Sequence, residues 1–330
     1  MKAINVHAFG GPETCIIDDV EIPEPAAGEA RVKVAFAGVN FIDVYMRNGT
    51  YARSHTYKTP LPMVIGMEAS GTVDAIGEGV TDLRVGQRVA FCLLRGSYAE
   101  FVAVPAWKLV PVPDDVPLEI AAALMLQGCT AHYLSHSAFP LQKGQSCLVH
   151  AGAGGVGQLL IQLAKNLGAT VFTTVSTQEK VEIARNRGAD HCILYRDVDF
   201  REELMKLTSG KGVDVVYDSV GKTTIMSSIR CVRRRGLCVL FGASSGVVDA
   251  IEPLSLAEAG SVFFTRPHLA DYMATADEIR GRAGDLFRLM KEKRLSVAID
   301  TIFPLADAAS AHRHIEGGKT RGKLLLKIEP

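Results

Sequence analysis

The sequence predicts an α/β protein in which a β-rich first part precedes a doubly wound parallel sheet. Three observations predict this class. Up to about residue 120, short β-branched runs are separated by Gly and Pro signals. From about residue 125, short apolar runs alternate with helical patterns, as in a parallel sheet covered by helices. With 330 residues, the chain is too long for one ordinary core and indicates two domains.

The strands of the β-rich part are predicted from four runs. They are RVKVAFAGV, SGTVDAIG, QRVAFCLL and AEFVAVP, with turn signals such as PEPAAGE, GEGVTDLRVG and PVPDDVP between them. Their close spacing favours a small barrel or sandwich over βαβ units.

The parallel sheet is predicted from CLVH, TVFTTV, HCILY, VDVVYD and LCVLFG, which are typical of buried strands. The clearest helix has Leu159, Leu160 and Leu163 on one face and a stop at Gly168. KVEIARNRG and ELMKLTSG predict two more helices. The three arginines at 233–235 are interpreted as the end of a further helix, where positive charge suits the helix dipole.

The last part of the chain is irregular. It holds a charged helix at roughly 277–293, a strand SVAID, a helix ADAASAHRHIEGG and a strand KLLLKI. We expect this tail to return to the first domain, because a lone terminal strand needs a sheet to join. The predicted domains are therefore 1–124 plus 265–330, and 125–264.

Composition and charge exclude several classes of protein. Lys plus Arg and Asp plus Glu both number 36, which argues against nucleic acid or an anionic membrane as a partner. The chain has no run of 18 apolar residues and no apolar leader, so we expect a cytoplasmic protein. Seven scattered cysteines without C-x-x-C predict reduced core thiols.

The stretch HAGAGGVG, residues 150–157, predicts a dinucleotide site. Gly152, Gly154 and Gly157 have G-x-G-x-x-G spacing, directly after a strand and at the start of the clearest helix. In this arrangement backbone N–H groups, here including those of Gly155 and Val156, meet a pyrophosphate. The alternative is a tight turn without a ligand.

The end of the second parallel strand favours NADPH over NADH. A site for NAD usually has an acidic residue there, but TVFTTV ends at Ser176. Lys180 follows four residues later and would attract a 2′-phosphate, and Tyr195 could close the same pocket. Glu179 is the alternative acidic group, although we expect it on the exposed face of the next helix.

Several stretches resemble the medium-chain dehydrogenase/reductase superfamily, and within it the zinc-free quinone oxidoreductases related to zeta-crystallin. These are GVNFIDVYMRNG, IGMEASGTV, HAGAGGVG, VVYDSVG, RRRGLCVLFGASSG and FFTRP. The resemblance covers nearly the whole chain. It implies a GroES-like catalytic domain plus a Rossmann cofactor domain, and a homodimer formed through the edges of the cofactor-domain sheets.

The superfamily's zinc is not expected here. Zinc-dependent members carry a Cys and a G-H-E where this chain has Asn40 and Met67, which are poor zinc ligands. His132 and His136 are interpreted as a pair on a helix face. His312 and the nearby His314 are interpreted as surface residues. We therefore predict that the protein has no metal.

The resemblance also implies the site residues. Asn40 and Tyr45 would contact the nicotinamide half and line the substrate pocket, Tyr51 would border it, and Thr130, following a helix segment at 121–129, would reach the nicotinamide phosphate. The alternatives are that Asn40 caps a turn and that Tyr45 only packs. Further cofactor contacts are implied at strand ends: Ser219, Phe241, Gly242, Ser244, Phe264 and Thr265.

The resulting hypothesis is hydride transfer from NADPH to a quinone without a metal. A quinone accepts hydride readily, so the protein has chiefly to position the reactants. One alternative is a reductase of enones, enals or enoyl thioesters. Another is a non-catalytic NADPH-binding protein, crystallin-like or RNA-binding.

Overall fold

The computed structural model describes residues 1–329 and shows two compact units. The first consists of Met1–Cys129, Met273–Arg288 and Val297–Pro330, and the second of Thr130–Tyr272 and Leu289–Ser296. The first unit is β-rich, and the second contains a six-stranded parallel sheet with helices. The predicted α/β class, with a GroES-like and a Rossmann part, is confirmed.

The first unit consists mainly of strands, whereas strands and helices alternate in the second. Among residues 1–329 the strands, numbered along the chain, are β1 (Lys2–Val6), β2 (Ile16–Asp19), β3 (Glu29–Val39), β4 (Met63–Val64), β5 (Glu68–Ile76), β6 (Arg88–Cys92), β7 (Phe101–Pro105), β8 (Val110–Pro111), β9 (Ser146–Val149), β10 (Thr170–Val175), β11 (His191–Leu194), β12 (Val213–Asp218), β13 (Val232–Leu240), β14 (Phe263–Thr265), β15 (Ile299–Pro304) and β16 (Lys323–Lys327). The α-helices are α1 (Phe41–Arg47), α2 (Leu118–Tyr133), α3 (Gly155–Asn166), α4 (Gln178–Asn186), α5 (Phe200–Leu207), α6 (Ile225–Cys231), α7 (Pro253–Glu258), α8 (Ala276–Lys291) and α9 (Ala308–Glu316).

The first unit is organised around the long strand β3. A seven-stranded sheet has the order β15-β16-β3-β5-β6-β8, and β7 also pairs with β3. The last strand, β16, lies antiparallel to β3, with Leu324 opposite Val39. A smaller sheet has the order β2-β1-β4. This pairing brings the start of β16 next to the segment that follows β3.

The second unit has a parallel sheet of order β11-β10-β9-β12-β13-β14. The order reverses between β9 and β12, and folds of this kind bind ligands at the carboxyl ends of the strands at such a point. Helix α3 follows β9 and buries Leu159, Leu160 and Leu163, as the periodicity predicts. The glycine-rich stretch therefore lies at the switch point.

Two local expectations were wrong. The arginines at 233–235 do not end a helix, because α6 ends at Cys231 and β13 already begins at Val232. Arg233 donates to Asp214 on the neighbouring strand at 2.6 Å, a contact that sequence spacing does not show. The strand expected at SVAID begins only at Ile299 and runs to Pro304, where it pairs with β16.

All seven cysteines are free thiols, and five of them are buried. Within residues 1–329, no helix combines the length and the apolar character that a membrane span requires.

Candidate active site

The glycine loop after β9 is packed tightly at two of its three motif positions. A Cβ on Gly157 would lie 2.3 Å from the carbonyl oxygen of Ala151, and one on Gly152 would lie 2.0 Å from Oγ1 of Thr173. A Cβ on Gly154 would meet only the Ala151 oxygen, at 3.2 Å. Internal packing therefore requires glycine at 152 and 157, whereas the space beside Gly154 is available to a ligand.

Helix α3 starts in this loop with free backbone donors. Gly154 is its N-cap and has no side chain to cap the first turn. Among residues 1–329, no acceptor is found for the N–H groups of Gly155, Val156 and Gly157. These donors lie at the positive end of the helix dipole, which suits a pyrophosphate.

A chain of hydrogen bonds, all oriented in one direction, connects Asp218 on β12 to the backbone of Ala151 in the glycine loop. Ser228 donates to Oδ2 of Asp218 at 2.7 Å, so its oxygen accepts from Nε2–H of His150 at 2.9 Å. The Nδ1 atom of His150 then accepts from Oγ1–H of Thr174 at 2.9 Å, and the Thr174 oxygen accepts from the Ala151 N–H at 3.4 Å. Burial lowers the pKa of His150 although Asp218 opposes the shift, so the ring is neutral. The chain reaches Ala151, whose φ of 55° is unusual for a residue other than glycine.

Three predicted cofactor residues lie together at the carboxyl ends of β10 and β11. Ser176 and Tyr195 directly follow these neighbouring strands, and Tyr195 is 48% exposed. Thr177 caps α4 by accepting from the backbone N–H of Lys180 at 3.3 Å. Glu179 is exposed in the first turn of α4.

The other predicted cofactor residues of the second unit lie at or near the ends of β12, β13 and β14. A Cβ on Gly242 would meet the carbonyl oxygen of Ser219 at 2.4 Å, and Ser244 N–H donates to the same carbonyl at 3.3 Å. The structure brings this group to one end of the sheet: Ser219, Phe241, Gly242, Ser244, Phe264 and Thr265. Their contact with a cofactor stays a prediction.

Thr130 was expected to follow a helix. It lies instead inside α2, where it is 8% exposed. The expected end at residue 129 was wrong because the helical pattern continues through Tyr133 before a π-helical turn at Leu134–Ala138. His132 and His136 stack with ring centroids 4.2 Å apart.

In the first unit, Asn40 belongs to a buried polar cluster. Its Nδ2 donates to the Gly38 carbonyl at 3.2 Å and to Oε2 of Glu68 at 2.9 Å, and its Oδ1 accepts from Nζ of Lys323 at 2.6 Å. Lys323 also forms an ion pair with Glu68 at 2.5 Å, and both side chains are fully buried. The other oxygen of Glu68 accepts from the backbone N–H of Leu126. Both amide hydrogens of Asn40 are thus occupied. Asn40 is also the N-cap of α1 and forms a capping box with Asp43.

A second buried chain of polar groups begins three residues later. Asp43 accepts from Asn40 N–H at 2.8 Å and from the Tyr98 hydroxyl at 3.0 Å, while its Oδ1 has no partner among residues 1–329. Tyr98 contacts Nε2 of His312 at 3.3 Å, and Nδ1 of His312 accepts from Arg47 at 3.3 Å. Desolvation raises the pKa of Asp43 to about 7, while burial and the nearby Arg47 lower that of His312 to about 3.

Of the two histidines expected at the surface, His312 is therefore fully buried, and that expectation was wrong. It lies on the inner face of α9, which the sequence pattern alone did not distinguish from the outer face. His314 is partly exposed and contacts Asp300 at 3.2 Å.

Aromatic rings form a continuous row beside this cluster. Tyr45 lies on α1 and contacts Tyr51 edge-on with centroids 5.4 Å apart, and Tyr51 stacks on Tyr57 at 5.4 Å. Phe41 approaches Tyr45 at 5.9 Å. The structure thus brings Tyr45 and Tyr51 together, and their roles stay predictions. Tyr57 is buried and was missed, because it lies in a loop without periodicity.

Comparison with known proteins places the chain in a family. The family model "Alcohol dehydrogenase GroES-like domain" matches residues 26–114, and "Zinc-binding dehydrogenase" matches residues 155–281. A 2-haloacrylate reductase of Burkholderia sp is 42% identical over 330 residues, covering 99% of this chain and 98% of its own. A quinone oxidoreductase of Pseudomonas aeruginosa is 40% identical, covering 98% and 99%.

Among solved structures, Escherichia coli quinone oxidoreductase complexed with NADPH superposes with a TM-score of 0.95 at 37% identity, covering 99% of this chain and all of that chain. The chain belongs to the medium-chain dehydrogenase/reductase superfamily, in its zinc-free quinone oxidoreductase branch.

The name of the second family model raises the question of zinc. Asn40 and Met67 offer an amide and a thioether, and the Asn40 amide is already bound to Glu68 and Lys323. The Lys323 ammonium lies 2.6 Å from Asn40 Oδ1 and would repel a divalent cation. Residues 1–329 contain no group of three or more His, Cys, Asp or Glu side chains suited to a metal ion. The donor set at Asn40 does not fit zinc.

Substitution Lys323→Met tests the buried ion pair. It leaves the Glu68 carboxylate buried without a counter-charge, so we expect a loss of about 3–5 kcal/mol in the free energy of unfolding. Adding Glu68→Gln removes the unpaired charge and should restore most of the loss. Urea denaturation measures both, with Lys327→Met, an exposed lysine, as the control. An equal effect of Lys323→Met and Lys327→Met would contradict the account.

Substitution Asp43→Asn tests the raised pKa of Asp43. Between pH 4 and 7 the unfolded chain releases this proton while the folded protein keeps it, so ionisation of Asp43 lowers stability as the pH rises, by at most about 1.4 kcal/mol per pH unit. His312, with its lowered pKa, acts in the opposite direction but is present in both proteins. The stability of Asp43→Asn minus that of the wild type should therefore increase from pH 4.5 to 7, measured by urea denaturation. A difference independent of pH, as expected for the exposed Asp114→Asn control, would refute the raised pKa.

Proposed function

We propose that this protein is an NADPH-dependent, zinc-independent quinone oxidoreductase. The observation that carries the proposal is the cradle beside Gly154, where a missing side chain and three free N–H donors leave room for a pyrophosphate. The proposal is supported by the relatives named quinone oxidoreductase and by the Escherichia coli enzyme solved with NADPH.

The second unit would hold the phosphates of the cofactor. The N–H groups of Gly155, Val156 and Gly157 would bind the pyrophosphate. Ser176 and Lys180 would bind the 2′-phosphate, with Tyr195 beside them; no acidic residue ends β10 to repel it. The residues at the ends of β12, β13 and β14 would follow the cofactor towards the nicotinamide.

The candidate catalytic residues Asn40, Tyr45 and Tyr51 belong to the first unit. Because both amide hydrogens of Asn40 are occupied, Asn40 would act through Oδ1 as an acceptor towards an N–H or O–H of the cofactor. Thr130, which belongs to the second unit, would donate to the nicotinamide-side phosphate. Tyr45 and Tyr51 offer ring faces against which a flat acceptor packs without polar cost.

When bound, NADPH supplies a hydride to the acceptor. A quinone needs no metal for this step, since its conjugated carbonyls already spread the negative charge that develops. The protein's own contribution is to hold the acceptor ring against the tyrosines and to keep Asn40 in one orientation. The proton that completes the reduction would come from solvent.

We also propose a homodimer formed through the edge strand β14. Phe263 on this strand is 65% exposed, and Leu254 on α7 is 61% exposed. An edge strand with exposed apolar side chains is suited to pairing with a second copy.

A second candidate is a reductase of activated alkenes, in the class of enones, enals and haloacrylates. The observation in its favour is the 42% identity, over the full length, to a protein named 2-haloacrylate reductase. The same cofactor cradle serves both reactions, since each delivers a hydride to a conjugated system.

Substitution Lys180→Ala tests the cofactor. Loss of the cation beside the 2′-phosphate should raise the Kd of NADPH about tenfold or more and leave that of NADH nearly unchanged. Gly154→Ala should weaken both, because its methyl group fills the cradle while meeting only one atom, at 3.2 Å. Calorimetric titration measures these constants, with the exposed Lys211→Ala as the control. Equal losses for both nucleotides in Lys180→Ala would refute the 2′-phosphate role.

Steady-state assays test the acceptor. With NADPH we expect turnover of 1,4-naphthoquinone and 9,10-phenanthrenequinone, little change on adding a chelator, and loss of activity in Gly154→Ala. Reduction of a medium-chain enal or 2-chloroacrylate alone would replace the quinone proposal with the second candidate. Tight binding of NADPH without turnover of any acceptor would favour a non-catalytic protein.

A further inference from the structure

We infer that the preferred acceptor is a planar conjugated carbonyl compound that carries a negative charge, such as a carboxylate or sulfonate. This inference rests on the proposed function and names the substrate class for the same site. It follows from three observations on the first unit: the aromatic row, a group of cations beside it, and the absence of carboxylates that would neutralise them.

The cations lie on two loops that are tied together. Residues 48–62 form the loop that carries Tyr51 and Tyr57, and they include Arg53 and Lys58 but no Asp or Glu. Arg95, on the loop after β6, donates from Nη1 to the carbonyl oxygen of Lys58 at 2.6 Å. This bond places the Arg95 guanidinium next to the residue that follows Tyr57.

The second loop also touches the Asn40 cluster. Leu93 N–H donates to the Met67 carbonyl at 2.8 Å, and Ser97 Oγ accepts from Glu68 N–H at 3.2 Å. Glu68 in turn accepts from Asn40. The loop of Arg95 is therefore held at two places, at Lys58, which follows Tyr57, and at the cluster that fixes Asn40.

These positive charges are not balanced locally. Within residues 1–329, the side chains of Arg53, Lys58 and Arg95 form no ion pair with any carboxylate. Two acids of the neighbouring clusters have other partners, since Glu68 is paired with Lys323 and Asp43 accepts from the Tyr98 hydroxyl. The chain as a whole is neutral, so this excess is a local feature.

Arg95 is the residue best placed to act on a ligand. It is half-buried, and desolvation lowers its pKa, so its charge is less stable there than in water. Its planar guanidinium keeps donors free after the single bond to Lys58, and such a group binds carboxylate or sulfonate oxygens in pairs. An anionic substituent on a ring held by the tyrosines would compensate this charge.

The test compares two acceptors in the NADPH-loaded protein. For each of 1,4-naphthoquinone-2-sulfonate and 1,4-naphthoquinone, the ratio of kcat/KM between wild type and Arg95→Met is measured, so that the intrinsic reactivity of each quinone cancels. We expect the loss for the sulfonate to exceed that for the parent at least tenfold, and Arg95→Lys to recover most of it. The exposed Arg84→Met, from the loop between β5 and β6, should change both acceptors equally.

A binding measurement separates this inference from the proposed function. The dissociation constant of 2-naphthalenesulfonate, which accepts no hydride, should rise about tenfold in Arg95→Met. In the wild type the same constant should be lower at low salt than at high salt. Equal effects of Arg95→Met on both quinones, or a weakened affinity for NADPH instead, would overturn the inference and leave the quinone reductase standing. No turnover of either quinone by the wild type would overturn the proposed function itself, whereas the sulfonate binding would still report on Arg95.

Discussion

The buried ion pair between Glu68 and Lys323 is the constraint on which the first unit depends. It joins the first residue of β5 to the first residue of β16, and through Asn40 it holds the end of β3 as well. Such a pair adds little stability compared with apolar packing, because two charges must leave water. Its effect lies in specificity: a donor-only lysine and an acceptor-only carboxylate leave the Asn40 amide one possible orientation. The cluster also requires glycine at position 38, because a Cβ there would lie 2.0 Å from Oε2 of Glu68.

In the second unit, the buried carboxylate of Asp218 fixes the position of the glycine loop. Asp218 fixes Ser228, and the hydrogen bonds then run in one direction through His150 to the backbone that precedes the glycine motif. A neutral histidine serves this purpose because it donates with one nitrogen and accepts with the other. In both units, a buried acid thus sets the position of a segment for which we propose a role in ligand binding.

Sequence reasoning predicted the regular parts of this fold well and the long-range polar contacts poorly. Helix α3 was predicted from apolar periodicity and the parallel strands from short apolar runs. Both signals are local, so a single sequence is enough to show them. Lys323 gave no such signal, since its partner Glu68 lies 255 positions away and nothing in KLLLKI marks its first residue as buried. His312 was misplaced for the same reason, because its neighbours Tyr98 and Arg47 come from distant segments. The candidate site residues near the motifs lie close together, and their roles stay predictions. Tyr57 and Arg95, in loops without a periodic pattern, were not singled out.

The first unit contains two kinds of cation, one paired with a carboxylate of the protein and one without such a partner among residues 1–329. The Lys323 ammonium is completely buried and has its counter-charge within the protein, so it orders the Asn40 cluster and would repel a divalent cation there. Arg95 is only half-buried and has a single carbonyl as its partner, so its electrostatic requirement is not met by the protein. A charge that the fold has already neutralised can only position other groups. A charge that it has left without a carboxylate, beside a row of aromatic faces, would distinguish between acceptors that share the same ring.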